Sequence, residues 1–128
     1  DTSVPISQLD RFLTETHEAI RRVHPDLRTN SYGHIGDGNI HHNVFPPEGT
    51  EKADFVSANP GVIDNVRHAI DEVTVNCNGS ISAEHGIGRL KTGDLETYGS
   101  AAKLRALRHI KAAIDPHNIM NPGAIFPS

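Results

Sequence analysis

The sequence predicts a two-layer α+β domain in which an antiparallel sheet is covered by helices on one face. Three observations carry this expectation. Apolar residues recur at threes and fours in three long stretches, an Asp-Gly pair divides two short runs of strand character, and a proline-bearing extended segment precedes the first helical stretch. Helices and a hairpin of this kind pack most simply as a sheet with one buried and one solvated face.

Thr2 to Ile6 reads as a short extended segment, which Pro5 confines to a sheet edge or a strand end. Ser7 is the expected cap of the first helix, with Asp10 three residues on. Leu9, Phe12, Leu13, Thr16, Ile20 and Val23 follow at helical spacing until Pro25, so the helix should run from about Gln8 to His24. Arg28 to His34 and Asn39 to Phe45 lie on either side of Gly36-Asp37-Gly38 and read as a hairpin. Pro46-Pro47-Glu48-Gly49 ends its second strand, and the polar stretch up to Pro60 is read as a short helical turn or a loop. Val62, Ile63, Val66, Ala69, Ile70, Val73 and Cys77 predict a second long helix, closed by Asn78-Gly79. Leu104, Leu107, Ile110 and Ile114 predict a third, from about Ser100 to Asp115-Pro116. The tail beyond is rich in Pro, Gly and Asn.

A chain of 128 residues suits one globular unit with one core. Its 36% apolar and 22% charged residues are ordinary values, and no run approaches the ~18 apolar residues of a membrane span. The net charge of -4, with both signs scattered along the chain, argues against a nucleic-acid surface and for a small-molecule partner. Cys77 is the one cysteine, which excludes a disulfide framework and points to a reducing, cytoplasmic setting. Nine histidines in so short a chain are the first chemical clue.

With Asp37-Gly38 as a two-residue loop, Gly36 pairs with Asn39, Ile35 with Ile40 and His34 with His41. Directly opposed Cβ atoms lie about 4.5 to 5.5 Å apart, a separation from which two imidazoles can converge on one metal ion. Asn43 shares that face, and His42 points the other way. Ser82-Ala83-Glu84-His85-Gly86-Ile87-Gly88 supplies an acid in an irregular segment. Two histidines and a carboxylate make an open site that suits zinc, manganese, cobalt or iron. On spacing alone, a packed or surface His pair is the commoner outcome and the metal site the rarer one. Gly86-Ile87-Gly88 lacks the third glycine and preceding strand of a phosphate loop and is read as permitting close backbone approach. Arg89 and Lys91 read as a solvated basic face, Cys77 as a core residue, and His17, His24, His68, His109 and His117 as helix-surface or helix-end residues.

Gly33-His34-Ile35-Gly36-Asp37-Gly38-Asn39-Ile40-His41, together with Gly79-Ser80-Ile81-Ser82-Ala83-Glu84-His85-Gly86-Ile87-Gly88, closely resembles the C-terminal domain of FAD-linked oxidases. That group includes D-lactate and D-2-hydroxyglutarate dehydrogenases and the glycolate oxidase flavin subunit. The closing run from Asp115 to Gly123 is similar to the family's ending, although Ala124 stands where the family often has Lys. The resemblance implies a ferredoxin-like cap domain, incomplete at its N-terminus, with the flavin domain absent from these residues. It implies His34, His41 and Glu84 as ligands of a divalent metal, with zinc ranked first, His85 as the catalytic base and Asn43 as a substrate contact. FAD would be bound by the missing domain, the substrate would be a 2-hydroxy acid, and this chain alone would bind metal without turning over. The face that docks on the flavin domain would favour self-association in its absence. Two other readings compete: a non-catalytic metal-binding or interaction domain, and, ranked last, a metal-dependent hydrolase, which lacks the His-Glu-x-x-His helix.

Overall fold

The computed structural model describes residues 1–127. The single unit expected from length is resolved into two compact ones, Asp1–Glu84 and His85–Ser128.

In the first unit, a two-residue strand β1 (Thr2–Ser3) leads through a 3-10 turn (Ile6–Gln8) into α1 (Leu9–Val23). Ser7 lies inside that turn, and Gln8 takes the cap position without a side-chain hydrogen bond, so the expected serine cap is not formed. The hairpin of β2 (Arg28–Tyr32) and β3 (Asn39–Phe45) follows, then a short α2 (Lys52–Ala58) and the long α3 (Val62–Asn76). The sheet order is β1-β3-β2, antiparallel throughout, and Ser80 bridges to Ser3 on the far edge of β1. The order along the sheet is therefore Ser80, β1, β3, β2, joined by α1 and α3. Three strands and the Ser80 bridge thus follow the strand order of a ferredoxin-like fold, as expected, with a single bridge where the fourth strand would lie.

Period-two alternation divides β3 between two environments. Ile40, His42 and Val44 face the helices, while His41, Asn43 and Phe45 face away from them. Ile40 joins a core cluster with Val4, Phe12, Ala19, Val73 and Cys77, and Val44 packs beside a second cluster of Ile20, Phe55, Val62 and Val66. His42 sits between them with its ring edge-on to Phe12, centroids 5.2 Å apart, and its Nδ1 is 2.8 Å from the Ser31 hydroxyl. Ser31 in turn meets His17 Nε2 at 3.1 Å, so His17 is tied to the sheet instead of lying free on a helix surface. Burial pushes the His42 imidazole down to about 4, which keeps it neutral at ordinary pH.

The hairpin departs from the expected register. Tyr32, not His34, pairs with His41. Residues 35–37 form a 3-10 turn, and the His34 carbonyl accepts from Asp37 and Asn39 N–H, so the connection is longer than two residues. Tertiary contacts impose this. The Gly38 carbonyl accepts the Val4 N–H at 3.0 Å, and Gly38 has φ 67° with a Cβ position only 2.0 Å from the Val4 carbonyl oxygen. A Cβ on Gly33 would likewise lie 2.1 Å from the Asn39 carbonyl oxygen. Both positions therefore demand glycine.

The second unit contains α4 (Thr92–Tyr98) and α5 (Ala101–Ile114). Ser100 caps α5 by accepting the Lys103 N–H, in agreement with the predicted start. The helix α4 escaped the sequence reading because Leu95 is its one buried apolar residue, too little to make a periodic pattern.

Candidate metal centre

The open face of the sheet and the segment after α3 supply the chemistry of the first unit. Asn78, with φ 56°, ends the turn after α3, and the Ser3–Ser80 backbone bonds then pin the following residues beside β1. Glu84 is thereby brought to the hairpin. Its Oε1 accepts from His34 Nδ1 at 2.8 Å, and its Oε2 lies 3.8 Å from His41 Nε2. His34, His41 and Glu84 thus converge around one carboxylate despite the altered register. The 3-10 turn carries His34 to Glu84 from beyond the strand end, and β3 presents His41 directly.

The hydrogen bond from His34 holds the Glu84 carboxyl below its usual range, against an opposing push from partial burial. Solvent access differs along the triad: the His34 side chain is 67% exposed, Glu84 45% and His41 18%, so the cluster opens outward while His41 anchors it. Two imidazoles and an ionised carboxylate are donor types of the kind that divalent ions take.

Two residues that the sequence reading did not single out hold the arrangement. Asn39, almost fully buried, donates from Nδ2 to Glu84 Oε1 at 2.5 Å. The Asp1 carboxylate accepts the Ala83 and Glu84 N–H groups at 3.0 and 3.2 Å, and its Oδ1 stands 3.9 Å from His41 Nδ1. The sequence marks Asn39 only as the first residue of the second strand, and no local pattern marks Asp1. On the same open face, the Tyr32 ring lies 5.4 Å from the His41 ring, and Asn43, two positions along β3, stands opposite Asn30.

His85 follows Glu84 in the chain, opens the second unit and is exposed. Gly86 and Gly88 take φ of 75° and 55°, and a Cβ on either would meet nothing within 4 Å among the described residues. Their role is left-handed backbone, not the close approach expected from the sequence. Arg89 donates from Nε to the Pro122 carbonyl at 3.2 Å. No described helix is long and apolar enough to cross a membrane.

A hairpin with two histidines, a buried asparagine at its turn and a glutamate delivered from beyond the second long helix defines a class. The chain belongs to the FAD-linked oxidases, whose C-terminal domain matches it over residues 1–125. Among individual relatives, it is 43% identical to the D-2-hydroxyglutarate dehydrogenase of Xanthomonas citri pv. viticola over 126 residues, which are 98% of this chain and 26% of that protein. A D-2-hydroxyglutarate dehydrogenase of Stutzerimonas stutzeri is 39% identical over the same share of each chain. The D-lactate dehydrogenase of Archaeoglobus fulgidus is 34% identical over 125 residues, again 98% of this chain and 26% of that one. The chain therefore spans about a quarter of the length of these relatives.

Proposed function

We propose that these residues form the metal- and substrate-binding C-terminal domain of an FAD-dependent dehydrogenase acting on a D-2-hydroxy acid. The observation that carries the proposal is the convergence of both imidazoles on the Glu84 carboxylate at 2.8 and 3.8 Å. Membership of the FAD-linked oxidases and the activities after which the relatives are named support the choice of reaction. His34, His41 and Glu84 would hold a divalent ion, zinc ranked first, which supplies Lewis acidity toward the oxygens of a 2-hydroxy acid. FAD, held by a separate flavin domain, supplies the hydride acceptor.

The remaining work belongs to the chain itself. Asn39 fixes the Glu84 carboxylate by a side-chain hydrogen bond, so Glu84 meets the ion with one oxygen already oriented. Asn43, exposed on the open face, is assigned to hydrogen-bond the substrate. His85 is assigned to accept the proton of the substrate hydroxyl, a task that suits imidazole near neutral pH.

Elemental analysis after purification without affinity metal tests the reading. About one equivalent of a transition metal is expected, lost in His34→Ala and Glu84→Ala. No oxidation of D-lactate or D-2-hydroxyglutarate is expected without flavin. A metal-free wild type, or flavin-independent turnover, would sink the proposal.

A further inference from the structure

Resting on that metal reading, we propose that Asp1 is the positioning residue that presents His41 to the metal. Its side chain is only 4% exposed, unusual for a carboxylate, and two adjacent backbone donors hold it. The Ala83 and Glu84 N–H groups donate to it at 3.0 and 3.2 Å, which secures the segment that delivers Glu84. Its Oδ1 also faces His41 Nδ1 at 3.9 Å, within ion-pair reach though beyond a direct hydrogen bond.

The His41 ring therefore lies between two carboxylates. Nδ1 faces Asp1 and Nε2 faces Glu84, at 3.9 and 3.8 Å. An imidazole can offer Nε2 to a metal only if the proton stays on Nδ1, and a carboxylate on the Nδ1 side selects that tautomer and fixes the ring plane. Tyr32, stacked at a tilt of 33° on the same ring, limits its rotation from the open face. Asp1 thus joins the strand that carries His41 to the segment that carries Glu84.

The test is a zinc-affinity double-mutant cycle on the full chain, read by competition with a chromophoric chelator. Asp1→Ala is expected to weaken zinc binding about 10- to 100-fold. In the His41→Ala background the same change should cost distinctly less, the remainder reporting only the hold of Asp1 on the segment that delivers Glu84. In the zinc-loaded wild type, the His41 Nδ1–H proton should give a slowly exchanging NMR signal that Asp1→Ala broadens. Equal losses in both backgrounds, or an unchanged Nδ1–H signal, would overturn the positioning role and leave the metal site standing. Loss of less than threefold in Asp1→Ala would do the same. A wild type that takes up no zinc would remove this inference and the metal reading together.

Discussion

Phe12 on α1 and Ile114 on α5 both belong to apolar repeats of period three and four, yet Phe12 is fully buried and Ile114 is 69% exposed. The first unit buries its repeats: Phe12, Ala19 and Ile20 of α1 and Val62, Val66 and Val73 of α3 close over the inner face of the sheet. The second unit leaves its repeat largely open, with Ile110 55%, Ile119 79% and Met120 55% exposed, and α5 has no buried residue. What orders its turn is polar. The buried Asp115 carboxylate accepts from Lys111 Nζ at 2.5 Å and from the Ile119 and Met120 N–H groups at 3.0 and 2.9 Å. Helical periodicity therefore reports that a helix forms, and says nothing of whether its apolar stripe finds a partner within the same chain.

The comparison breaks most visibly at Phe12. Phe12→Ala should cost about 3–5 kcal/mol, because it opens a cavity at the centre of the first cluster and removes the ring against which His42 packs. Urea unfolding followed by far-ultraviolet circular dichroism measures it. A loss below about 1 kcal/mol would mean that the clusters of the first unit are no better packed than the second unit's stripe.

The next effect in size depends on pH. The His42 imidazole is lowered from 6.5 to about 4 in the folded chain, chiefly by burial. Its neutral form is the one the fold accommodates, so the stability it protects is complete above pH 6.5 and is lost as pH falls toward about 4. The loss attributable to this group is at most about 3 kcal/mol. Unfolding free energies at intervals across that range, in the presence of a chelator, should fall for the wild type and remain flatter for His42→Asn. Parallel profiles would place the acid sensitivity elsewhere.

Much of this was legible in the sequence, and the failures have physical causes. The helices α1, α3 and α5 announced themselves through long apolar repeats and clear stops. Asp37-Gly38 correctly marked a reversal, but its length was set by Val4, whose N–H takes the Gly38 carbonyl and draws Asn39 and Ile40 against β1. That information lies far from the turn. His34, His41 and Glu84 were readable as residue types in distinctive contexts, and His42 as the one facing inward. Asn39 and Asp1 were not, because each acts on Glu84 across 45 and 83 residues of chain, where no spacing rule operates.

The second unit has its own acid response, displaced from that of the first. Its hydrogen bond from Lys111 and those from the backbone hold the Asp115 carboxyl below its usual 3.8. The stabilisation is present above that value and lost as pH falls through the lower folded pKa, so the turn after α5 should loosen only below about pH 4. Amide resonances of Ile119 and Met120 would report it, shifting late in an acid titration, and Asp115→Asn should remove that transition. An early shift beginning near 6.5 would show that the turn follows His42 and that the two units do not respond separately.

The smallest expected effect is the sharpest test of the contrast. Ile114→Ala removes a large apolar side chain from a helix end, yet Ile114 is 69% exposed and little transfer free energy is at stake. Alanine also has the higher helix propensity, which offsets part of whatever contact is lost. The net change should stay within about 0.5 kcal/mol, the range of surface substitutions. A thermal melt of wild type and variant at equal concentration decides the point. A change approaching that of Phe12→Ala would mean that the α5 stripe is covered in solution, and a concentration-dependent midpoint in the wild type alone would identify a second copy of the chain as its cover.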